Sequence, residues 1–396
     1  MTVLILSNAK TDGHVMPVAR ELLRRGVDVC GFDPGDFPGS AMVTTEWSHS
    51  GPSTLLEWNG ETLDLADVHS IWLRRPERAQ LSPELTREEE DWIRSECGVF
   101  LEGVWANTEA LWVSAPHRLR LANRKLLQMR LAQDLGFQVP PYMVTNNPER
   151  AREFIDAQPD GAVVKALGVP TLLHSLGAAM VYTHRIVSED LAYLDSVRNG
   201  PTFIQAFVPK LRDIRVTIIG KQIFAVAIES THVPGGDVDF RVVDTFELPH
   251  IPVQLPEPVE RACLALLERL NLQFGAIDLL ETKNGDYVFL ENNPNGQWYW
   301  IELMTGLPMA EAMADLLERG LHGQATRPPE RPRGEPFTVP VGDQVVPVRS
   351  SLAAKLQSMP DEVLPRLTAS STWLERRNRQ ITLHVGDIDD DESRGA

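Results

Sequence analysis

The sequence predicts an α/β protein built from an open, mainly parallel sheet at the N-terminus, a larger α+β unit after it, and a small C-terminal extension. Three observations predict this. Residues 3–6 are a continuous apolar run, followed by a helical spacing over 15–25 and a second apolar run at 27–31, which is the start of a doubly wound sheet. From residue 202 onward the pattern changes to paired strands with short turns. After Gly320 the composition changes again, with five prolines between 326 and 340.

Composition narrows the class. At 396 residues the chain has room for two or three domains and a sizeable core. A net charge of −17 argues against bulk nucleic-acid binding or an anionic membrane surface as partner. The three cysteines, Cys30, Cys97 and Cys263, lie far apart without metal or disulfide spacing, so a reducing cytoplasm is expected. The first residues are too short and uncharged for a secretory signal, and no run of about 18 apolar residues predicts a membrane span.

Along the chain, the first strand is followed by no Gly-x-Gly-x-x-Gly, so a dinucleotide site is not supported. Residues 70–76, Ser-Ile-Trp-Leu-Arg-Arg-Pro, form a strand whose exit carries Arg74 and Arg75, two candidates for gripping a carboxylate or phosphate. Residues 87–103 are expected as a helix with Trp92, Cys97, Val99 and Leu101 mostly in the core. Residues 116–135 are expected as one helix, with Lys125 near its start and Gly136 as its cap. Lys165 sits in the apolar strand 162–166, where a lysine is costly to bury unless an anion meets it. The segment 167–180, with Gly168 and Gly177, is expected as a flap over phosphates, and it is not a P-loop.

Residues 202–208 form a strand ended by Pro209. In the next strand Asp213 and Arg215 alternate with Ile214 and Val216 and so share a face. Asp239-Phe240-Arg241 closes a loop opened by Gly235-Gly236. Residues 276–280 and 287–290 read as a hairpin about Asn284-Gly285, whose residues supply left-handed conformations. This turn brings Asp278 beside Glu291, and Asn293 shares the Glu291 face. Two carboxylates and an amide are hard oxygen donors that suit Mg²⁺ with further ligands from phosphate or water. Residues 298–320 are largely helical. Residues 344–348 and 380–385 read as strands with a helix from Ser351 between them, and 387–396 as an acidic disordered tail.

In this order and at these spacings, the set resembles the ATP-grasp fold over residues 115–322. It resembles most closely the microviridin-type (graspetide) peptide maturases. The phrases that carry the resemblance are Ile-Trp-Leu-Arg-Arg-Pro at 71–76, Phe-Val-Pro-Lys-Leu-Arg-Asp-Ile-Arg-Val-Thr at 207–217, and Glu-Asn-Asn-Pro-Asn-Gly-Gln-Trp at 291–298. Residues 1–114 resemble the pre-ATP-grasp domain of that group, 323–342 form a Pro-rich linker, and 343–396 a C-terminal extension.

The resemblance implies that Lys125 and Lys165 hold ATP phosphates and that backbone groups of Ala206 and Val208, with Gln205 nearby, hold adenine. It implies Asp213 on the ribose, Arg215 and Arg241 on the transferred phosphoryl group and acyl phosphate, and Asp278, Glu291 and Asn293 on two Mg²⁺ ions bridged by Glu291. Related enzymes often carry Glu where Ala206 stands, and the flap matches only loosely. The implied activity is an ADP-forming ligase that phosphorylates Asp or Glu side chains of a ribosomal precursor peptide and closes ester or amide cross-links. A homodimer is also implied. Alternatives are an ATP-grasp ligase acting on free amino acids, small metabolites or a protein terminus, and a non-catalytic nucleotide-binding scaffold.

Overall fold

The computed structural model describes residues 2–8, 12–48, 51–168, 171–174, 177–243, 245–321, 338–341 and 344–347. The chain opens with β1 (Thr2–Leu6), α1 (Val15–Arg24) and β2 (Asp28–Phe32). A meander of β3 (Ala41–Ser48), β4 (Gly51–Trp58) and β5 (Glu61–Asp64) follows, then β6 (Val68–Leu73), α2 (Arg87–Asn107) and β7 (Leu111–Val113). β1 is buried throughout and pairs in parallel with both β2 and β6, giving the order β2-β1-β6-β7. The strand order therefore reverses at β1 and β6, which is where such sheets present a crevice at their carboxyl ends.

The expected helix at 116–135 is two helices, α3 (Pro116–Ala122) and α4 (Lys125–Asp134). The chain breaks at Asn123-Arg124, and Gln128 donates through Nε2 to the Ala122 carbonyl at 2.5 Å, satisfying an end that α3 leaves open. The break puts Lys125 at the first turn of a new helix. α2 also differs from expectation. A Thr86/Glu89 capping box starts it, but Trp92 and Val99 are 67% and 68% exposed, and its core face is Cys97, Leu101, Val104 and Trp105.

Next come β8 (Tyr142–Thr145), α5 (Pro148–Asp156), β9 (Ala162–Lys165), β10 (Thr171–His174), β11 (Gly177–Met180), β12 (His184–Arg185) and β13 (Thr202–Ala206). β12-β9-β13-β8 form one sheet, and β10 and β11 form an antiparallel hairpin within the expected flap. The third part contains β14 (Lys210–Ile219), β15 (Gln222–Ile228), β16 (His250–Pro252), α6 (Glu257–Leu270), β17 (Phe274–Thr282), β18 (Tyr287–Asn293), α7 (Tyr299–Thr305) and α8 (Met309–Arg319). Its sheet order is β16-β15-β14-β17-β18, all antiparallel.

This sheet separates two cores. Ile214, Val216 and Ile218 pack with α3, α4 and α6, whereas Ile219, Val226 and Ala276 pack with β1, α1, α8 and Trp298. The second core is shared between the first thirty residues and the last described helix. Arg25 adds ion pairs to Asp315 and Glu318 across the same contact.

β19 (Thr338–Val341) and β20 (Gln344–Pro347) pair as a hairpin, so part of the expected linker is strand. The readings at 351–396, including the helix, the strand at 380–385 and the acidic tail, lie outside the described residues. Cys30, Cys97 and Cys263 are buried and form no disulfide with one another. Among the described residues, no helix is long and apolar enough to cross a membrane.

Candidate active site

The β17–β18 hairpin sets the site. Its strands extend further than the sequence suggests, joined by a loop in which Gly285 (φ 83°), and not Asn284, takes the left-handed conformation. Arg215, Asp278 and Glu291 then stand in cross-strand register on β14, β17 and β18. A β-bulge makes this possible. Leu279 pairs with Phe289, but Asp278 pairs with Glu291, so Leu290 is an extra residue. Strict alternation would place Glu291 on the face of Phe289, which is fully buried with Leu279 in the helix-covered core. The inserted Leu290 turns Glu291 to the Asp278 face.

Two carboxylates in direct register repel one another unless cations meet them. Here Arg215 Nη1 donates to both oxygens of Asp278, at 2.7 and 2.9 Å, and Lys125 Nζ lies 2.6 Å from Glu291 Oε2. Asn293 Nδ2 lies 3.2 Å from Asp278 Oδ2 and 3.4 Å from Glu291 Oε1, so the three side chains share one small volume. Burial raises the pKa of Asp278 against the pull of Arg215. Burial also works against ionised Glu291, but Lys125, Arg241 and Lys165 outweigh it and hold that carboxyl below its ordinary value. Among the described residues no group of three or more His, Cys, Asp or Glu side chains could hold a metal. Asp278, Glu291 and Asn293 could offer a metal two carboxylates and an amide, which would leave coordination positions for oxygens of a ligand or water.

These residues line a cavity of about 680 Å³, together with Lys125, Lys165, Asp213, Arg215, Asp239 and Arg241. Among the described residues Lys165 Nζ has no hydrogen-bond partner, and burial lowers its pKa to about 8 despite Glu291. A buried ammonium without a hydrogen-bonded anion is costly to hold. Arg241 makes a two-point ion pair with Asp239, at 2.8 and 2.7 Å, and Asp239 also accepts from the Thr183 N–H at 3.1 Å. Burial opposes ionisation of both, but the pair prevails, holding Asp239 at about 2 and raising Arg241.

Asp213 is buried. Its Oδ2 accepts from Lys210 Nζ at 2.6 Å and Ser230 Oγ at 2.7 Å. Burial nevertheless pushes its pKa upward. Gln205, Ala206 and Val208 lie at the exit of β13, beyond the residues lining the cavity. The Ala206 N–H donates to the Pro141 carbonyl at 2.8 Å, and Gln205 is buried with Nε2 unpaired.

Arg74 and Arg75 leave β6 at the strand-order reversal. Arg74 is fully buried, donating to Asp12 Oδ2 at 2.9 Å and Asn295 Oδ1 at 2.7 Å. Arg75 is exposed over part of its surface and, among the described residues, has no side-chain partner; the desolvation of its guanidinium, then Arg74, lowers its pKa. Sequence reasoning missed Lys210, Ser230, Asp12, His14 and Asn295. The only local signal was the turn composition Asn-Asn-Pro-Asn-Gly at 292–296.

Comparison with known proteins fits this geometry. Residues 2–120 match the family model described as the MvdD pre-ATP grasp domain. Macrocyclase MdnB from Microcystis aeruginosa MRC is 30% identical at a TM-score of 0.67, over 80% of this chain and 98% of that one. Macrocyclase MdnC from the same source, bound with precursor peptide MdnA, is 27% identical at 0.71, over 80% and 99%. The RiPP-associated ATP-grasp ligase of Chryseobacterium gregarium, in complex with ADP and a leader and core peptide, is 25% identical at 0.75, over 80% and 96%. No curated protein matches the chain.

Fold and site together define an ATP-grasp ligase with a pre-ATP-grasp domain. The chain belongs to the microviridin-type, or graspetide, ATP-grasp macrocyclases that mature ribosomal peptides.

Proposed function

We propose that the protein binds magnesium ATP in the cavity and closes ester or amide cross-links within a ribosomal precursor peptide, at Asp or Glu carboxylates. The observation that carries this is the Asp278–Glu291–Asn293 set facing Lys125, Lys165, Arg215 and Arg241 across one cavity. Relatives at 25% and 27% identity are bound to leader and core or precursor peptides, and one of them holds ADP, which supports peptide and nucleotide ligands for this chain.

A carboxylate is a poor electrophile until its oxygen becomes a leaving group. Bound magnesium nucleotide supplies a phosphoryl group for that purpose, and most of the protein's part is positioning and charge neutralisation. Lys125 and Lys165 hold phosphate oxygens. Asp278, Glu291 and Asn293 would hold the metal, two ions being the reading with Glu291 shared between them. Asp213 keeps Oδ1 for a ribose hydroxyl while Lys210 and Ser230 occupy Oδ2. Backbone groups of Ala206 and Val208, with Gln205 nearby, would hold the adenine. Arg215 and Arg241 steady the carboxylate and the oxyanion as the peptide hydroxyl or amine attacks. Loss of one such donor costs about 10²–10³ in rate. We assign residues 1–114 and 115–322 as the two working units, with residues 323–342 linking them to the C-terminal extension, in a cytoplasmic enzyme that forms a homodimer.

Incubation with Mg²⁺, ATP and a precursor peptide encoded beside the gene tests the reading. Loss of one water mass per ring with ADP release is expected. ADP release with an unmodified peptide and a modified free amino acid would overturn it.

A further inference from the structure

Behind the metal-ligand turn, two stretches distant in sequence interlock. Asn293-Pro294-Asn295-Gly296 is a β-turn closed by the Gly296 N–H on the Asn293 carbonyl at 3.1 Å. Arg74 Nη1 donates to Asn295 Oδ1 at 2.7 Å and to the Gly296 carbonyl at 3.3 Å, and Asn295 Nδ2 donates back to the Arg74 carbonyl at 2.6 Å. Asp12 fixes Arg74 from behind, and its other oxygen lies 2.7 Å from His14 Nδ1. The Trp298 N–H donates to His14 Nε2 at 3.0 Å, which requires that Nδ1 carry the proton. The Gln297 carbonyl accepts from Arg215 Nη2 at 2.9 Å, and Arg215 holds Asp278. Thus Asn295, Gly296, Gln297 and Trp298 each carry a fixed attachment.

We propose that Arg74, held by Asp12 and His14, is a positioning residue. It sets the 293–298 turn from the N-terminal sheet, so that the grip on magnesium nucleotide depends on that sheet. The proposal rests on the magnesium-nucleotide reading above. A buried ion pair is a poor device for joining units, since apolar packing of the same volume serves as well or better. Such packing already exists in the core of β1, α1 and α8. What the Arg74 fork adds is direction. It fixes two consecutive residues of the turn that follows Asn293.

The test is titration calorimetry of ADP against the full chain, in excess Mg²⁺ and in EDTA. The variants are Arg74→Lys, His14→Gln, Asn295→Ala and Asn295→Asp. Arg74→Lys keeps charge and loses the fork, and Asn295→Asp keeps the acceptor. The expected result is that Arg74→Lys and Asn295→Ala each lose about ten-fold or more of the Mg²⁺-dependent gain in affinity. Binding in EDTA should stay within about three-fold, and Asn295→Asp, which keeps the acceptor for Arg74 Nη1 but loses the donor to the Arg74 carbonyl, should lose less of the gain than Asn295→Ala. His14→Gln should lose less than Arg74→Lys, because the amide oxygen can still accept from Trp298. If the variants melt earlier but keep the full gain, the interlock only braces the fold and the proposal is overturned. If Arg74→Lys fails to fold, the Asn295 pair decides. A wild-type chain with no Mg²⁺-dependent gain overturns the nucleotide reading, and the positioning role with it.

Discussion

Replacing Lys165 by Met removes the ammonium while keeping most of the side-chain volume, and the structure makes its two effects opposite in sign. Burial lowers the Lys165 pKa from 10.5 to about 8. The unfolded chain holds that proton more tightly, so the charged group costs the ligand-free fold stability at every pH below 8. The cost fades as pH rises from about 8 to 10.5. At 1.36 kcal/mol per pH unit it is at most about 3 kcal/mol. Water entering the cavity reduces it to about 1–2 kcal/mol. Lys165→Met should therefore raise the ligand-free melting temperature by about 2–4 °C at pH 7. The same change should weaken Mg·ATP binding by about 10²-fold, since a phosphate oxygen loses a charge-assisted partner. Scanning calorimetry with and without ligand measures both. A variant that melts earlier without ligand, yet binds nucleotide as the parent does, would refute the argument that this lysine awaits an anion.

Glu291→Ala should reduce product formation by at least about 10³-fold in a mass-spectrometric peptide assay, because it removes a proposed metal ligand and the partner of Lys125. Mg·nucleotide affinity should fall as pH rises through about 8, where Lys165 loses its proton in the free protein, and binding above that pH should take up a proton, as calorimetry in buffers of different ionisation enthalpy will show. Deleting Leu290 removes the bulge and makes Phe289 and Glu291 neighbours in strict alternation, so Glu291 should stay on the Asp278 face and Mg²⁺-dependent nucleotide binding, measured by calorimetry, should persist. Gly296→Ala would place a methyl 2.8 Å from Ala276 Cβ and 2.9 Å from Arg215 Nη2. The expected cost is about 1–3 kcal/mol by thermal denaturation, with weakened Mg·ADP binding.

The fold class and the convergence of Asp278, Glu291 and Asn293 were legible because both rest on short-range rules. Strand periodicity put Asp213 with Arg215, and Glu291 with Asn293, on shared faces, and a hairpin necessarily apposes its arms. The bulge at Leu290 was not legible, since a bulge exists only relative to the strand opposite. The role of Arg74 was hidden for a similar reason. Its partner Asn295 lies 221 residues away, and the strand exit alone suggested a ligand grip rather than a buried network. Trp92 and Val99 misled because α2 is apolar on more than one side, and periodicity cannot say which side is covered. The interruption between α3 and α4 escaped because leucines continue at helical spacing through it. The β3–β5 meander went unread because β3, on its edge, is largely exposed and carries no apolar stripe.

The core that β1 and α1 share with α8 and Trp298 bears on how such a chain can be re-engineered. An exchange of the first 114 residues with those of a relative would strip Met309, Met313 and Leu317 of their packing unless α8 travelled with the graft. Chimeras cut at that seam should aggregate, whereas those that also carry over residues 298–319 should stay dispersed.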